Sequence, residues 1–206
     1  MMYGSIMNAL LLICFLLCGC QKIIHHHTPH QTDTIIASCN LPEKEIVTFI
    51  GYESEGFEHI MDVMNIIEKE LDTLSPDKHI ICSNYSNYFD DISIALKIAN
   101  ERGFETIGLT TNDSIIPSTC LDQLFMVNNP SDLSDIHLAI TNKFVAIGGN
   151  QNVYDELICA QQKQIPINLY ISEMNHNKAI LSAKKSGLSK PEHYFGKANT
   201  LLFNQY

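Results

Sequence analysis

The chain has 206 residues, 45% of them hydrophobic, and a formal net charge of −10 at pH 7. That length sustains one domain with a sizeable core and is too short for two ordinary ones. The acidic balance argues against nucleic acid as a partner, since a phosphate-tracking surface needs clustered Lys and Arg, and Arg102 is the only arginine available to clamp an anion.

From Ala9 to Cys18 every side chain is apolar or a thiol, and no charged side chain precedes Lys22. About ten apolar residues are too few to cross a bilayer as a mature helix, but they suit the hydrophobic region of a signal peptide. The run ends in Leu17-Cys18-Gly19-Cys20, which resembles the lipobox of bacterial lipoproteins. The resemblance implies a signal peptide over 1–19, cleavage after the small Gly19, and lipid on the Cys20 thiol. It also implies a chain anchored in the bacterial cell envelope. Gln21, where Asp would retain a lipoprotein, implies sorting to the outer membrane if the host has two membranes. An uncleaved N-terminal anchor is the alternative, and it too ends at a membrane.

Residues 21–42 (QKIIHHHTPHQTDTIIASCNLP) show no sustained period and contain two prolines, so 20–42 reads as the lipidated Cys and a flexible tether. The histidines His25, His26, His27 and His30 have no carboxylate or Cys at fixed spacing, and read as solvated linker without a metal. Cys39, Cys82, Cys120 and Cys159 lack CxxC spacing, so no disulfide pairing is assigned.

From Glu45 strands and helices alternate. Ile46 to Ile50 is a short β-rich run that stops at Gly51, and Ile60, Met61, Val63, Met64, Ile67 and Leu71 then recur at helical spacing as far as Ser75-Pro76. His79 to Cys82 reads as a strand. A helix opens at Asp90-Asp91, where the dipole favours acids, carries Ile92, Ala95, Leu96 and Ala99, and closes at Gly103. Thr106 to Leu109 and Gln123 to Val127 are the next strands, Leu133 to Ile140 a short helix, and Phe144 to Ile147 a strand ending in Gly148-Gly149. Val153 to Gln162 is helical, Pro166 to Ile171 a sixth strand, and Asn177 to Lys185 a last helix before an irregular end. Apolar strands alternating with helices imply crossovers and a parallel sheet covered on both faces. The expected fold is a single doubly wound, mostly parallel α/β domain of the Rossmann-like kind over 43–172, with a helix and tail over 173–206.

In such a sheet, ligands bind beyond the carboxyl ends of the strands. Three turns lie there. The first runs from Gly51 to Gly56, and its Glu53 and Glu55 make it a poor phosphate cradle. The second, Ser83-Asn84-Tyr85-Ser86-Asn87, offers small polar side chains that could bond a hydroxylated or phosphorylated ligand. The third is Gly148-Gly149-Asn150-Gln151-Asn152, whose glycines permit positive φ and close approach. Glu156, with Asp155 beside it, follows about one helical turn later and could act as an acid/base or hold ribose hydroxyls. The candidate ligand-binding residues are therefore Gly51, Ser83, Asn84, Ser86, Gly148, Gly149, Asn150, Asn152 and Glu156, with Glu156 the candidate catalytic group.

The segment FVAIGGNQNVYDELICAQQKQIPINLYI resembles the last conserved block of the SLOG superfamily, which includes the lysine-decarboxylase-like LOG phosphoribohydrolases. In that likeness Glu156 takes the place of the motif glutamate, Ala160 the helix alanine and Pro166 the proline before the strand. Upstream, SNYSNYFDDISIALKIANERGFETIGL is similar to the family's second glycine-rich turn, helix and strand. The likeness spans about residues 45 to 171 and implies a nucleotide-binding or phosphate-binding sheet, often in a dimer. Asn152-Val153 replaces the motif's Gly-Thr, Ser83-Asn84 replaces a glycine pair, and no Arg or Lys stands at 133–137, where the active hydrolases carry a substrate-contacting arginine. Without that clamp on the phosphate, hydrolysis of the family type should lose several powers of ten. The stretch SNYSNYFDDISIALKIANERGFETIGLTTNDSIIPSTCLDQLFMV is also similar to a sugar-isomerase (SIS) domain, over a shorter span.

The expected function is a membrane-anchored domain that binds a nucleotide-like or phosphorylated small ligand without family-type catalysis and without a bound cofactor. The alternatives are an N-glycosidic-bond hydrolase using Glu156, an envelope interaction scaffold, and a SIS-type sugar-phosphate binder.

Overall fold

The strands form where the sequence has short β-branched and aromatic runs, and they pair side by side because each crossover helix carries the chain back to the same end of the sheet. In the computed structural model, residues 23–26, 44–53, 55–86, 90–111, 118–127, 129–185, 187 and 196–205 are described. The strands are β1 (Ile23–His26), β2 (Glu45–Gly51), β3 (His79–Asn84), β4 (Glu105–Thr110), β5 (Gln123–Met126), β6 (Lys143–Ile147) and β7 (Ile167–Tyr170). They make one seven-stranded sheet in the order β1-β5-β4-β3-β2-β6-β7, and every neighbouring pair is parallel. The helices are α1 (Ile60–Leu71), α2 (Ile94–Glu101), α3 (Pro130–Ile140), α4 (Gln151–Gln162) and α5 (His176–Lys185). The doubly wound α/β expectation holds.

β1 corrects one expectation. Residues 23–26 belong to the tether by sequence, yet they pair with β5 in register from Ile23 opposite Gln123 to His26 opposite Met126. Without β1, β5 would be an edge with a row of unpaired backbone groups, and a short segment adding alongside satisfies them. The periodicity that marks an amphipathic strand is too short to register in four residues. Met1 to Lys22, including Cys20, lies outside the described residues, as do Cys39 and the rest of the tether.

Alternation along β2 sets the two core layers. Val47 and Phe49 face α1 and α2, packing with Val63, Ile67, Ala95 and Leu96. Ile46 lies on the opposite face with Leu133, Ile136 and Ile140 of α3. Ile50 shares that face with Val153, Leu157 and Ala160 of α4, and with Ala198 and Leu201 of the 3-10 helix Ala198–Gln205. The irregular end expected by sequence is thus partly ordered. α3 begins three residues earlier than its apolar pattern suggests, because Pro130 with its preset φ suits the first turn. α2 begins later than Asp90: Asp91 Oδ1 accepts the Ser93 amide at 2.8 Å before the helix starts.

At the far edge, β7 is tied to α1 by a buried carboxylate. Glu70 accepts from Lys143 Nζ at 2.9 Å, from Asn168 Nδ2 at 2.7 Å and from the Tyr170 hydroxyl. Burial alone would raise the Glu70 carboxyl, but these three donors outweigh it and hold it below the usual range. The same contact pushes the Tyr170 phenol up to about 12.

Candidate functional site

Strands β3, β4 and β5 extend from β2 in one direction, and β6 and β7 in the other, so the order reverses between β2 and β6. Ligand crevices in open α/β sheets form at such a reversal. Gly51, Gly148 and Gly149 stand at that crevice, and the glycine pair has the positive φ expected of it, +58° and +129°. The chain itself fills the space. A Cβ on Gly148 would stand 2.6 Å from the Tyr52 ring and 3.0 Å from the Ser172 carbonyl, and one on Gly149 would stand 2.6 Å from Val153. A Cβ on Gly51 would meet the Ile147 carbonyl at 2.6 Å.

Tyr52 is fully buried there. Its hydroxyl donates to the Ser172 carbonyl at 3.3 Å, and its ring meets Phe57 edge-on at 5.4 Å. Burial pushes its phenol up to about 12. The C-terminal segment closes the crevice from outside. The Ala198 amide donates to the Gly149 carbonyl at 3.1 Å, and Asn199, fully buried, donates from Nδ2 to the Ser172 carbonyl at 2.7 Å. The glycines therefore serve close packing of the chain on itself.

Two further residues of the third turn are committed to α4. Asn150 is its N-cap, and its Oδ1 accepts the amides of Asn152 at 3.0 Å and Val153 at 3.4 Å. The amides of Asn152 and Val153 are thus satisfied within the turn, while the Asn152 side chain is exposed.

Glu156 faces inward from α4, only 7% exposed. Its Oε1 lies 2.8 Å from His137 Nδ1 of α3, and its Oε2 accepts from Ser134 Oγ at 3.1 Å. His137 is fully buried, with its ring edge-on to Phe144 at 6.5 Å. Burial by itself would lower the imidazole, but the Glu156 carboxylate and then the adjacent Cys82 thiol override it and push it up to about 10. The His137 ring thus stands in the 133–137 stretch, held against Glu156. Sequence reading looked there for Arg or Lys and passed over a histidine. Its sequence signal is an ionisable residue on the apolar face of α3, one position after Ile136.

The second and first turns lie beyond β3 and β2. Glu53 reaches solvent, and its Oε1 accepts from Asn84 Nδ2 at 2.6 Å. Crowding by surrounding protein raises the Glu53 carboxyl, the Asn84 bond opposes this, and the Glu55 and Asp91 charges add to it. Asp91 is 1% exposed. Its carboxyl is also raised, by burial first, against the hydrogen bonds from Ser86 and Ser93. Ser86 is therefore held on Asp91. Ser83 points into the core, where its hydroxyl donates to the Phe49 carbonyl at 2.9 Å. Two buried acceptors at this mouth, Asn84 Oδ1 and Glu55 Oε2, have no protein partner among the described residues. Of the nine sequence candidates, Asn84 alone has a buried polar side-chain atom without a protein partner among the described residues. No group of three or more His, Cys, Asp or Glu among the described residues is arranged to hold a metal.

No protein-family model matches the sequence, and no curated protein matches it significantly. Among solved structures the fold is similar to that of the molybdenum cofactor carrier protein of Chlamydomonas reinhardtii. One structure of that protein matches with a TM-score of 0.51 at 20% identity, covering 79% of this chain and 97% of that chain. A second gives 0.51 at 18% identity, covering 79% and 98%. At such identities the likeness establishes the fold, a Rossmann-like single α/β domain.

Proposed function

We propose that this chain is a lipid-anchored, divergent SLOG-type domain that binds a small polar ligand at the β2–β3 mouth without the hydrolysis typical of that superfamily. The observation that carries the binding reading is the pair of unpartnered acceptors, Asn84 Oδ1 and Glu55 Oε2, beside Glu53. A buried acceptor left unpaired costs about 1–3 kcal/mol, which a ligand N–H or O–H would recover. Because Glu53, Glu55 and Asp91 place negative charge around the opening, the ligand presents donors and carries no phosphate next to them. A nucleoside or polyol fits better than the corresponding phosphate. The fold neighbour's named role, carrying a cofactor, supports binding without turnover. The engagement of Glu156 with His137 and Ser134 weighs against its use as a free acid/base.

A thermal-shift panel of nucleosides, polyols, nucleotides and sugar phosphates tests this. A ligand at a hundred times its Kd stabilises the fold by about 2.7 kcal/mol, which raises Tm by about 5–10 °C in a chain of this size. Neutral members should shift the wild type, and Asn84→Ala should abolish the shift. A panel in which only phosphorylated members act, or none does, would defeat the proposal.

The anchor reading rests on the apolar run and Gly19-Cys20. A single acyl chain binds membranes marginally, whereas two or three, at about 0.8 kcal/mol per buried methylene, hold stably. Cys20→Ala should therefore leave a full-length precursor that incorporates no labelled palmitate. Labelling that survives in Cys20→Ala but disappears in Cys18→Ala would move the site.

A further inference from the structure

β1 changes what an anchor at Cys20 can do. A tether over 20–42 would let the domain sit as far as about 70–80 Å from the lipid, in any orientation. With Ile23 already paired to Gln123, only Gln21 and Lys22 separate Cys20 from the sheet, a reach of at most about 10 Å. The end of the sheet to which that leash leads is settled by direction. β1 is parallel to β5, so Ile23 lies beside Gln123, the first residue of β5. Glu45, His79, Glu105 and Lys143 open β2, β3, β4 and β6 at this same amino end. The mouth at Asn84 and Glu53 is at the opposite end, separated by the length of β3, about 17 Å at about 3.3 Å per residue.

We infer that β1 clamps the domain with the amino ends of its strands against the lipid headgroups and its mouth turned away from the membrane. This rests on the lipid-anchor reading. The amino-end surface mixes Lys44, Lys78 and Lys143 with Glu45, Asp77 and Glu105, and Lys44 pairs with Glu105 at 3.6 Å. Orientation therefore comes from the leash, not from charge, and survives high salt. The mouth then draws its ligand from the aqueous phase, not from the bilayer surface.

The chain contains no tryptophan, so a single introduced one is a unique reporter. Asp77, exposed just before β3, marks the membrane side, and exposed Asn152 marks the mouth side. Lipidated full-length Asp77→Trp and Asn152→Trp would be reconstituted in phosphatidylcholine vesicles carrying a nitroxide on the headgroup. Asp77→Trp should be quenched several-fold more than Asn152→Trp, equally at low and high salt. Adding Ile24→Pro and His25→Pro, which removes successive amides and so at least one that faces β5, should keep flotation with vesicles but erase the contrast. Equal quenching at both sites, or a contrast that survives the two prolines, would overturn the inference while leaving the anchor intact. Failure of the parent proteins to float with vesicles would remove the anchor and the orientation together.

Discussion

Glu156→Ala should destabilise the fold by about 3–5 kcal/mol, the loss found when one partner of a buried ion pair is removed. The urea midpoint should fall by about 1–2 M, given ordinary m-values. The reason is local. His137 is fully buried, with Nδ1 on Glu156, and without the carboxylate its charge has no compensation. The pH dependence has a definite sign. The folded His137 value of about 10 lies above the unfolded value near 6.5. The pair's contribution is therefore fully present below pH ~6.5 and is lost as pH rises through ~10, at up to about 1.4 kcal/mol per pH unit. Glu156→Gln should flatten that part of the stability curve. Equal slopes for wild type and variant between these limits would show that the imidazole is neutral in the folded state. Replacing both partners, as in His137→Leu with Glu156→Met, should recover much of the lost stability, since a well-packed apolar pair often matches a buried ion pair. If ligand binding persists in that double variant, the pair supports the fold and not the ligand.

Glu70→Ala should cost about 3 kcal/mol or more, because hydrogen bonds to a charged group contribute roughly 1.5–3 kcal/mol each and are not additive. Three donors on β6 and β7 would lose one shared acceptor. The Glu70 carboxyl is depressed in the folded state, so its contribution is present above its unfolded value near pH 4.3 and is lost as pH falls below that. The Glu70 and His137 contributions are both present between about pH 5 and 6.5. A separate readout is the Tyr170 phenol, which the Glu70 hydrogen bond pushes up to about 12. In Glu70→Gln its absorbance titration should move toward 10, the value of a free phenol. A Tyr170 titration unchanged in Glu70→Gln would mean that β7 is held by its ladder with β6 alone.

Much of the fold was legible in the sequence because burial on both faces writes itself into local pattern. Ile46 to Ile50 and Phe144 to Ile147 must be apolar at successive positions, and Val63, Ile67 and Leu71 must recur at helical spacing. Positive φ at Gly148, Gly149 and Gly103 was legible for the same reason: few other residue types tolerate it. The β1 strand was not legible, since four residues without hydrophobic alternation acquire their conformation only from the edge of β5. The partners of the candidate site residues were not legible, because they lie far off in the chain. Gly148-Gly149 meets Tyr52 and Ala198, Ser83 spends its hydroxyl on Phe49, and Glu156 turns to His137. Local sequence determines which residues can adopt a turn, cap a helix or face a core. Which buried polar groups remain unpaired is a property of the assembled sheet, and only the tertiary structure decided that Asn84 Oδ1 and Glu55 Oε2 are among them.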